Sequence, residues 1–282
     1  MRRILLFVLL APLALADFNP AWNKPAQPFL IAGNIYSVGT NFLASYLIKT
    51  PAGDILINPN FEESVPVIKQ NVEALGFHFS DIKIILIAHA HDDHAAGCAL
   101  AKKLSGAKLM VMDADVPVIE HGGVGDFIYT SRWTPAKVDR ILHDNSQVQL
   151  GGTTLTAHLT AGHTKGCTTW TTDVLDGGKK LHVVIVGGPN VNEGYQLVNN
   201  ANYPQIATDF AKGFQVLHAL PCEIFLGAHG IYFGLDEKFA RLKSLKKGEP
   251  NPFIDPAGYR AYIDDREQAF RKELAAQQSG KR

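Results

Sequence analysis

The stretch His89-Ala90-His91-Asp92-Asp93-His94 sets four potential metal ligands in the pattern H-x-H-x-D-H. Side chains two apart in an extended segment point the same way, so His89 and His91 can close on one ion and Asp93 keeps their phase. His94 falls at the first turn of a following helix and points elsewhere. The spacing therefore serves two metals more naturally than one, and imidazole with carboxylate is a zinc-type donor set. A lone histidine is more often a satisfied core or surface residue, but this pattern at the end of an apolar run has few structural explanations. Zinc needs further ligands, and two more histidines sit beside glycines where strand-ending loops are expected. They are His163 in Gly162-His163-Thr164-Lys165-Gly166 and His229 in Gly227-Ala228-His229-Gly230. Such glycines let the backbone approach closely. His78, His121, His143, His158, His182 and His218 lack that setting and read as ordinary core or surface residues.

The elements that must position these ligands follow from the apolar pattern. Ile82 to Ala88, directly before the first motif, is a continuous apolar run suited to a strand buried on both faces. Leu30 to Val38, Phe42 to Lys49 and Asp54 to Asn58 read as an antiparallel meander. Val65, Ile68, Val72 and Leu75 recur at helical spacing and stop at Gly76. Ala95 to Leu104 and Ala114 to Glu120 read as helices and Lys108 to Met112 as a strand. Gln147 to Leu159 reads as a hairpin turning at Gly151-Gly152. A second set follows: strands Cys167 to Val174 and Lys180 to Val186, a helix from Tyr203 to Leu217, and a strand from Glu223 to Leu226. Pro256 to Gln278 reads as an amphipathic surface helix. Two halves, each of strands and then a helix, imply two mixed sheets packed together with helices outside.

Composition narrows the class. The 282 residues are 46% hydrophobic and 19% charged, with 27 basic against 27 acidic residues. That is a globular chain with no basic surface for nucleic acid and no polybasic membrane patch. Met1-Arg2-Arg3, an apolar stretch from Ile4 to Leu15 and Ala14-Leu15-Ala16 form the layout of a secretory signal peptide. The apolar run is shorter than the roughly 20 residues of a spanning helix. Cleavage after Ala16 would leave a single mature domain, 17–282, with 25 basic and 27 acidic residues and a net charge of −2, exported to the periplasm. Cys98, Cys167 and Cys222 lie far apart, so neither a zinc knuckle nor a dense disulfide framework is indicated. Cys222 reads as a buried core thiol, and a Cys98 to Cys167 bridge is open to an exported chain.

With its H-x-H-x-D-H followed by separated histidines, the sequence resembles the metallo-β-lactamase superfamily, and more narrowly subclass B3 of the metallo-β-lactamases. The narrower likeness rests on Trp22-Asn23-Lys24-Pro25, Gly33 to Thr40, Gly162-His163-Thr164, Gly194-Tyr195-Gln196-Leu197, Leu220-Pro221-Cys222 and Asn251 to Pro256. The resemblance implies an α/β fold, the αββα sandwich of two mixed β-sheets with helices on the outer faces, and a metal site along one edge of both sheets. It implies two zinc ions per chain. His89, His91 and His163 would hold the first, and Asp93, His94 and His229 the second. It also implies hydrolysis of the β-lactam amide bond of penicillins, cephalosporins and carbapenems by a metal-bound hydroxide in a monomer. Asp93 would be both ligand and orienter, and Tyr195 either a hydrogen-bond donor to the developing oxyanion or a packed loop aromatic. Asp92, at a variable place in the motif, reads as solvated.

Within the superfamily, thioesterases of the glyoxalase II type and many lactonases add a bridging aspartate at a strand end between the last two histidines. Here that strand ends Val186-Gly187-Gly188-Pro189-Asn190, without a carboxylate. A di-zinc hydrolase of lactones or other small esters is the alternative, and an exported zinc-binding protein without turnover is a third. Two departures from subclass B3 stand out. Asn190 and Asn192 occupy a stretch where relatives often carry serines that contact the substrate carboxylate, and Asn58 stands where an aspartate is usual. Ser244-Leu245-Lys246-Lys247 matches the S-x-x-K of serine β-lactamases, but no S-D-N or K-T-G accompanies it, so chance explains it.

Overall fold

A computed structural model gives the structure of residues 20–280. The expected signal peptide, 1–16, lies outside the described residues. Seven strands form the first sheet in chain order: β1 (Phe29–Ala32), β2 (Ile35–Ser37), β3 (Tyr46–Thr50), β4 (Gly53–Ile57), β5 (Ile82–Leu86), β6 (Lys108–Met112) and β7 (Arg140–Leu142). β1 to β4 are antiparallel and β4 to β7 parallel. The second sheet holds β8 (Gln147–Leu150), β9 (Thr153–Leu159), β10 (Thr168–Asp176), β11 (Lys179–Val186) and β12 (Ile224–Gly227). Its order is β12-β11-β10-β9-β8, with only β12 parallel to its neighbour. The helices are α1 (Ser64–Ala74), α2 (Asp92–Ala95), α3 (Cys98–Ser105), α4 (Val116–Glu120), α5 (Ile206–Ala219), α6 (Leu235–Lys243) and α7 (Pro256–Gln278).

The central parallel strands explain the layering. Ile84 and Leu86 of β5, with Met110 and Met112 of β6, face the core between the sheets. Ile82 and Ile85, with Leu109 and Val111, face the other way, against Val65, Ile68 and Val72 of α1 and Cys98 and Ala101 of α3. A strand covered on both faces is apolar at nearly every position, which is why β5 reads as an apolar run; Lys83, near its start, is its one exposed residue. Phe210 and Phe214 of α5 pack on Phe270 of α7, and these helices lie against β9 and β12. The result is the expected sandwich, two mixed sheets with helices on the outer faces.

Several elements differ from the expectation for physical reasons. Leu30 to Val38 is two strands, because Gly33 takes a φ of +54° and turns the chain into a β1–β2 hairpin. Phe42 to Ala44 do not join β3. They pair instead with the loop after β12, through Ala44 N–H to the Ala228 carbonyl (3.0 Å), Gly230 N–H to the Phe42 carbonyl (3.1 Å) and a bridge between Leu43 and His229. The expected helix Ala95 to Leu104 is split at Gly97, where a Cβ would lie 2.7 Å and 2.8 Å from the Pro59 and Phe61 carbonyl oxygens. β7 and α6 carry too few apolar residues to announce themselves: only Leu142 of β7 is buried. The three cysteines are free thiols. No Cys98 to Cys167 bridge forms, since Cys98 sits in the layer of α1 and α3 while the Cys167 thiol donates to the Gly188 carbonyl (3.6 Å). Cys222 is half-buried rather than fully buried.

Candidate metal centre

All three histidine-bearing segments leave the sheets at one edge. β5 runs into the His89–His94 turn, the β9–β10 connection carries His163, and β12 runs into His229. Each is pinned by hydrogen bonds that are independent of any ligand. Thr168 N–H donates to the Ala88 carbonyl at 2.7 Å, and the Trp170 indole N–H to the Ile87 carbonyl at 3.0 Å, so β10 of the second sheet holds the exit of β5 in the first. Asn58 and Asn60, both with a φ of +60°, turn the chain after β4 beneath the motif. Asn58 Oδ1 accepts the Ala88 N–H at 2.7 Å, and Asn60 N–H reaches the His94 carbonyl at 3.3 Å. Asparagine tolerates this left-handed backbone better than most residues. Asn58 thus supplies the acceptor expected of an aspartate there, while its Nδ2 is buried without a partner.

The residue that joins the segments is Asp115, between β6 and α4. Its Oδ2 accepts the Ala90 N–H at 2.9 Å and the Thr164 hydroxyl at 2.8 Å, and its Oδ1 accepts the Gly166 N–H at 2.8 Å. One carboxylate therefore ties the turn of His89 and His91 to the loop of His163. Burial pushes Asp115 up to about 6 against the pull of these donors. Sequence reading missed it. The one available signal was position: in a parallel sheet the end of β6 must lie beside the end of β5, where the ligands leave.

The six expected ligands converge. Nε2 of His94 and Nε2 of His229 are 3.1 Å apart, and each lies near Asp93 Oδ2, at 3.3 Å and 3.4 Å. A tetrahedral zinc with bonds of about 2.0–2.1 Å has ligand-to-ligand edges of about 3.3–3.4 Å, so this trio already has the spacing of a ligand face. The donor atoms of His89, His91 and His163 lie within 4.8 Å of one another, and those of His89, Asp93 and His94 do too, so the two sets meet at His89. His163 Nδ1 contacts the Asn190 carbonyl at 2.8 Å, which turns its Nε2 toward the cluster. Both ring nitrogens of His89, Nε2 of His91 and Nδ1 of His94 and His229 are buried with no hydrogen-bond partner. Buried polar atoms are rarely left unpaired, and five neutral imidazoles packed edge to face each carry one lone pair that a metal ion can accept. The residues fit a metal ion.

Burial is the main cause of the site's protonation state. It pulls His94 and His229 down to about 3 and His163 to about 4, and holds His89 and His91 well below the ordinary imidazole value. Repulsion among the five rings adds to this. The imidazoles are therefore neutral near pH 7, the form that binds metal. Burial also raises Asp93 to about 6, opposed by His229.

A cavity of about 380 Å³ opens over this cluster. Trp22, stacked on Phe42 at 4.7 Å, and Ile231, 72% exposed, make one wall apolar. Tyr129, Asn190, Asn192 and Tyr232 make the other polar, and Asp92 sits half-buried at the rim. Tyr195 is not brought to the wall. It is 0% exposed, with Phe127 and Tyr129 against its ring, and its hydroxyl donates to the His163 carbonyl at 2.8 Å. The expectation of an oxyanion donor is thereby corrected: Tyr195 steadies the His163 loop. Ser244 of the S-x-x-K match is exposed at the end of α6, away from the cavity.

The sequence profile of the metallo-beta-lactamase superfamily matches residues 39–175. Among solved structures, the chain is similar to the native FEZ-1 metallo-beta-lactamase from Legionella gormanii. They share 52% identity over 91% of this chain and 98% of that one, with a TM-score of 0.88. It is also similar to BJP-1, a subclass B3 metallo-beta-lactamase of Bradyrhizobium japonicum, at 38% identity over 92% and 98% of the two chains and a TM-score of 0.85. A metallo-beta-lactamase from Cronobacter sakazakii shares 40% identity over 92% and 98%, again with a TM-score of 0.85.

Two expected outcomes follow from this geometry. Asp115→Asn is nearly isosteric, but either orientation of its amide sets an NH2 against a backbone N–H. The metal-free protein is expected to lose roughly 2–3 kcal/mol in urea denaturation and to bind zinc more weakly; unchanged stability and affinity would show that the carboxylate is not the tie. Because the folded imidazoles titrate below the unfolded value of about 6.5, lowering the pH through 6.5 protonates the unfolded chain first. Each such histidine then removes up to about 1.4 kcal/mol of stability per pH unit, while the raised Asp93 and Asp115 oppose this below about 6. Thermal melts of metal-free protein should therefore shift down between pH 7 and pH 5, and a flat profile would contradict neutral, buried ligands.

Proposed function

The chain belongs to the metallo-β-lactamase superfamily, and from that premise we propose that it hydrolyses the amide bond of β-lactams, with two zinc ions per chain, and so confers antibiotic resistance. The observation that carries the reading is the convergence of six ligand side chains from three segments beneath one open cavity. Likeness over nine-tenths of the chain to structures described as metallo-beta-lactamases supports the substrate class.

His89, His91 and His163 would hold the first zinc, and Asp93, His94 and His229 the second. Bound there, zinc supplies Lewis acidity that activates water and polarises a carbonyl near neutral pH. The protein's own groups do the rest. Asp93 is the one carboxylate among the ligands and lines the cavity, so it can accept a proton from the attacking water and orient it. Asn192 Nδ2 donates to the Tyr129 hydroxyl at 2.9 Å and Asn190 Nδ2 to the Tyr232 hydroxyl at 2.6 Å. Each amide nitrogen carries a second proton with which to hold a substrate oxygen, and among the described residues no lysine or arginine lines the cavity to do so instead. The apolar wall of Trp22, Phe42 and Ile231 sheds water from the ligand's other side. β11 ends at Val186 and runs into Gly187-Gly188 without an acid, which favours β-lactams over the thioesters and lactones hydrolysed with a bridging aspartate.

The proposal extends to a periplasmic monomer. The support for export is the basic, apolar and small-residue order of Met1 to Ala16. Among the described residues, no helix is long and apolar enough to cross a membrane.

The purified mature protein is expected to hydrolyse a penicillin, a cephalosporin and a carbapenem, to lose all three activities to a chelator and to regain them with zinc. Metal-replete protein inert toward all three but active on lactones would replace the substrate class. Metal-replete protein inert toward every substrate would mark a binding protein.

A further inference from the structure

Beside His91, adjoining the main cavity, Ala90, Gly123, Asp126, Tyr129 and Trp133 line a second space of about 10 Å³, the size of one water site. Asp126 is fixed there. Its Oδ1 accepts the N–H groups of Ile128 at 2.8 Å and Tyr129 at 2.7 Å, and its side chain is only 5% exposed. That anchoring aims Oδ2 at His91 Nε2, 3.6 Å away, a few tenths of an ångström beyond a hydrogen bond. His91 Nε2 is buried without a partner, and the Trp133 indole N–H is a second orphaned donor. The Tyr129 ring meets the His91 ring edge to face at 4.8 Å and limits its rotation.

We propose that Asp126 is a positioning residue for the metal centre: its carboxylate accepts the Nε2 proton of His91 and thereby fixes the tautomer in which Nδ1 of His91 is the ligand atom. The inference rests on the metal-binding reading above. A neutral imidazole carries one proton, so an acceptor locked behind Nε2 leaves the lone pair on Nδ1. His163 is fixed in the opposite sense, since its Nδ1 meets the Asn190 carbonyl and its Nε2 faces the cluster. Two ligands of one metal would then bind through different ring nitrogens, each set by a different partner. Carboxylates and carbonyls behind ligating histidines commonly act in this way. No spacing rule links Asp126 to His91, because the 34 intervening residues include α2, α3, β6 and α4.

Cadmium-113 in the zinc sites of protein labelled with 15N-histidine reads the ligand atom directly. Scalar coupling is expected to Nδ1 of His91 and Nε2 of His163. Coupling to Nε2 of His91 overturns the inference and leaves the metal centre standing, whereas coupling to neither histidine overturns both. Asp126→Asn supplies the second arm. The amide oxygen can keep the Ile128 and Tyr129 N–H groups, while its NH2 faces His91 and favours the wrong tautomer. Competition with a chromophoric chelator should show zinc binding weakened by about 10- to 100-fold, with the circular dichroism spectrum unchanged. Wild-type affinity in that variant would overturn the role of Asp126.

Discussion

The carboxylate of Asp115 is the interaction on which the site depends. It accepts three hydrogen bonds, from Ala90, Thr164 and Gly166, at the place where the first sheet's His89–His91 turn meets the second sheet's His163 loop. Neither loop has regular hydrogen bonding of its own at these positions, so the backbone N–H groups of Ala90 and Gly166 would otherwise be buried unpaired. A carboxylate suits the task because it only accepts, with room for several donors. On the opposite side, His229 is held by the exchange between residues 42–44 and 228–230, and Tyr46 spans the sheets to bond the Gly227 carbonyl at 2.6 Å. The ligands are thus placed by groups that are not ligands.

What is held together in this way is costly on its own. Five imidazoles and a carboxylate share a buried cluster in which each ring repels its neighbours' charged form and several nitrogens have no partner. Such an arrangement opposes folding of the metal-free chain, and only the surrounding scaffold and a bound cation can offset it. The same burial that makes the cluster unfavourable keeps its lone pairs free of protons, so readiness for metal and local strain have a single cause.

Much of this was legible in the sequence, and the reasons differ by residue. His89, His91, Asp93 and His94 declared themselves because their spacing matches the reach of one strand end and one helical turn. His163 and His229 were marked by neighbouring glycines. The strands covered on both faces, β5 above all, were visible as apolar runs, in β5 interrupted only by Lys83. The supporting groups were not legible. Asp115 and Asp126 are single acids whose meaning lies in what the topology brings beside them, and an isolated aspartate carries no such label. Tyr195 shows the converse: its place in a familiar segment suggested a role at the substrate, yet its ring is enclosed and its hydroxyl is taken by the His163 carbonyl. Short elements such as β7 and α6 escaped because few of their residues are buried, and the break at Gly97 because it depends on carbonyls from a distant turn.

The most direct test of the central claim is anomalous diffraction at the zinc absorption edge from a crystal of the purified chain. Two peaks are expected, one bounded by His89, His91 and His163 and the other by Asp93, His94 and His229. A crystal grown with excess zinc that shows no peak among these side chains, or that finds the three segments apart, would contradict it.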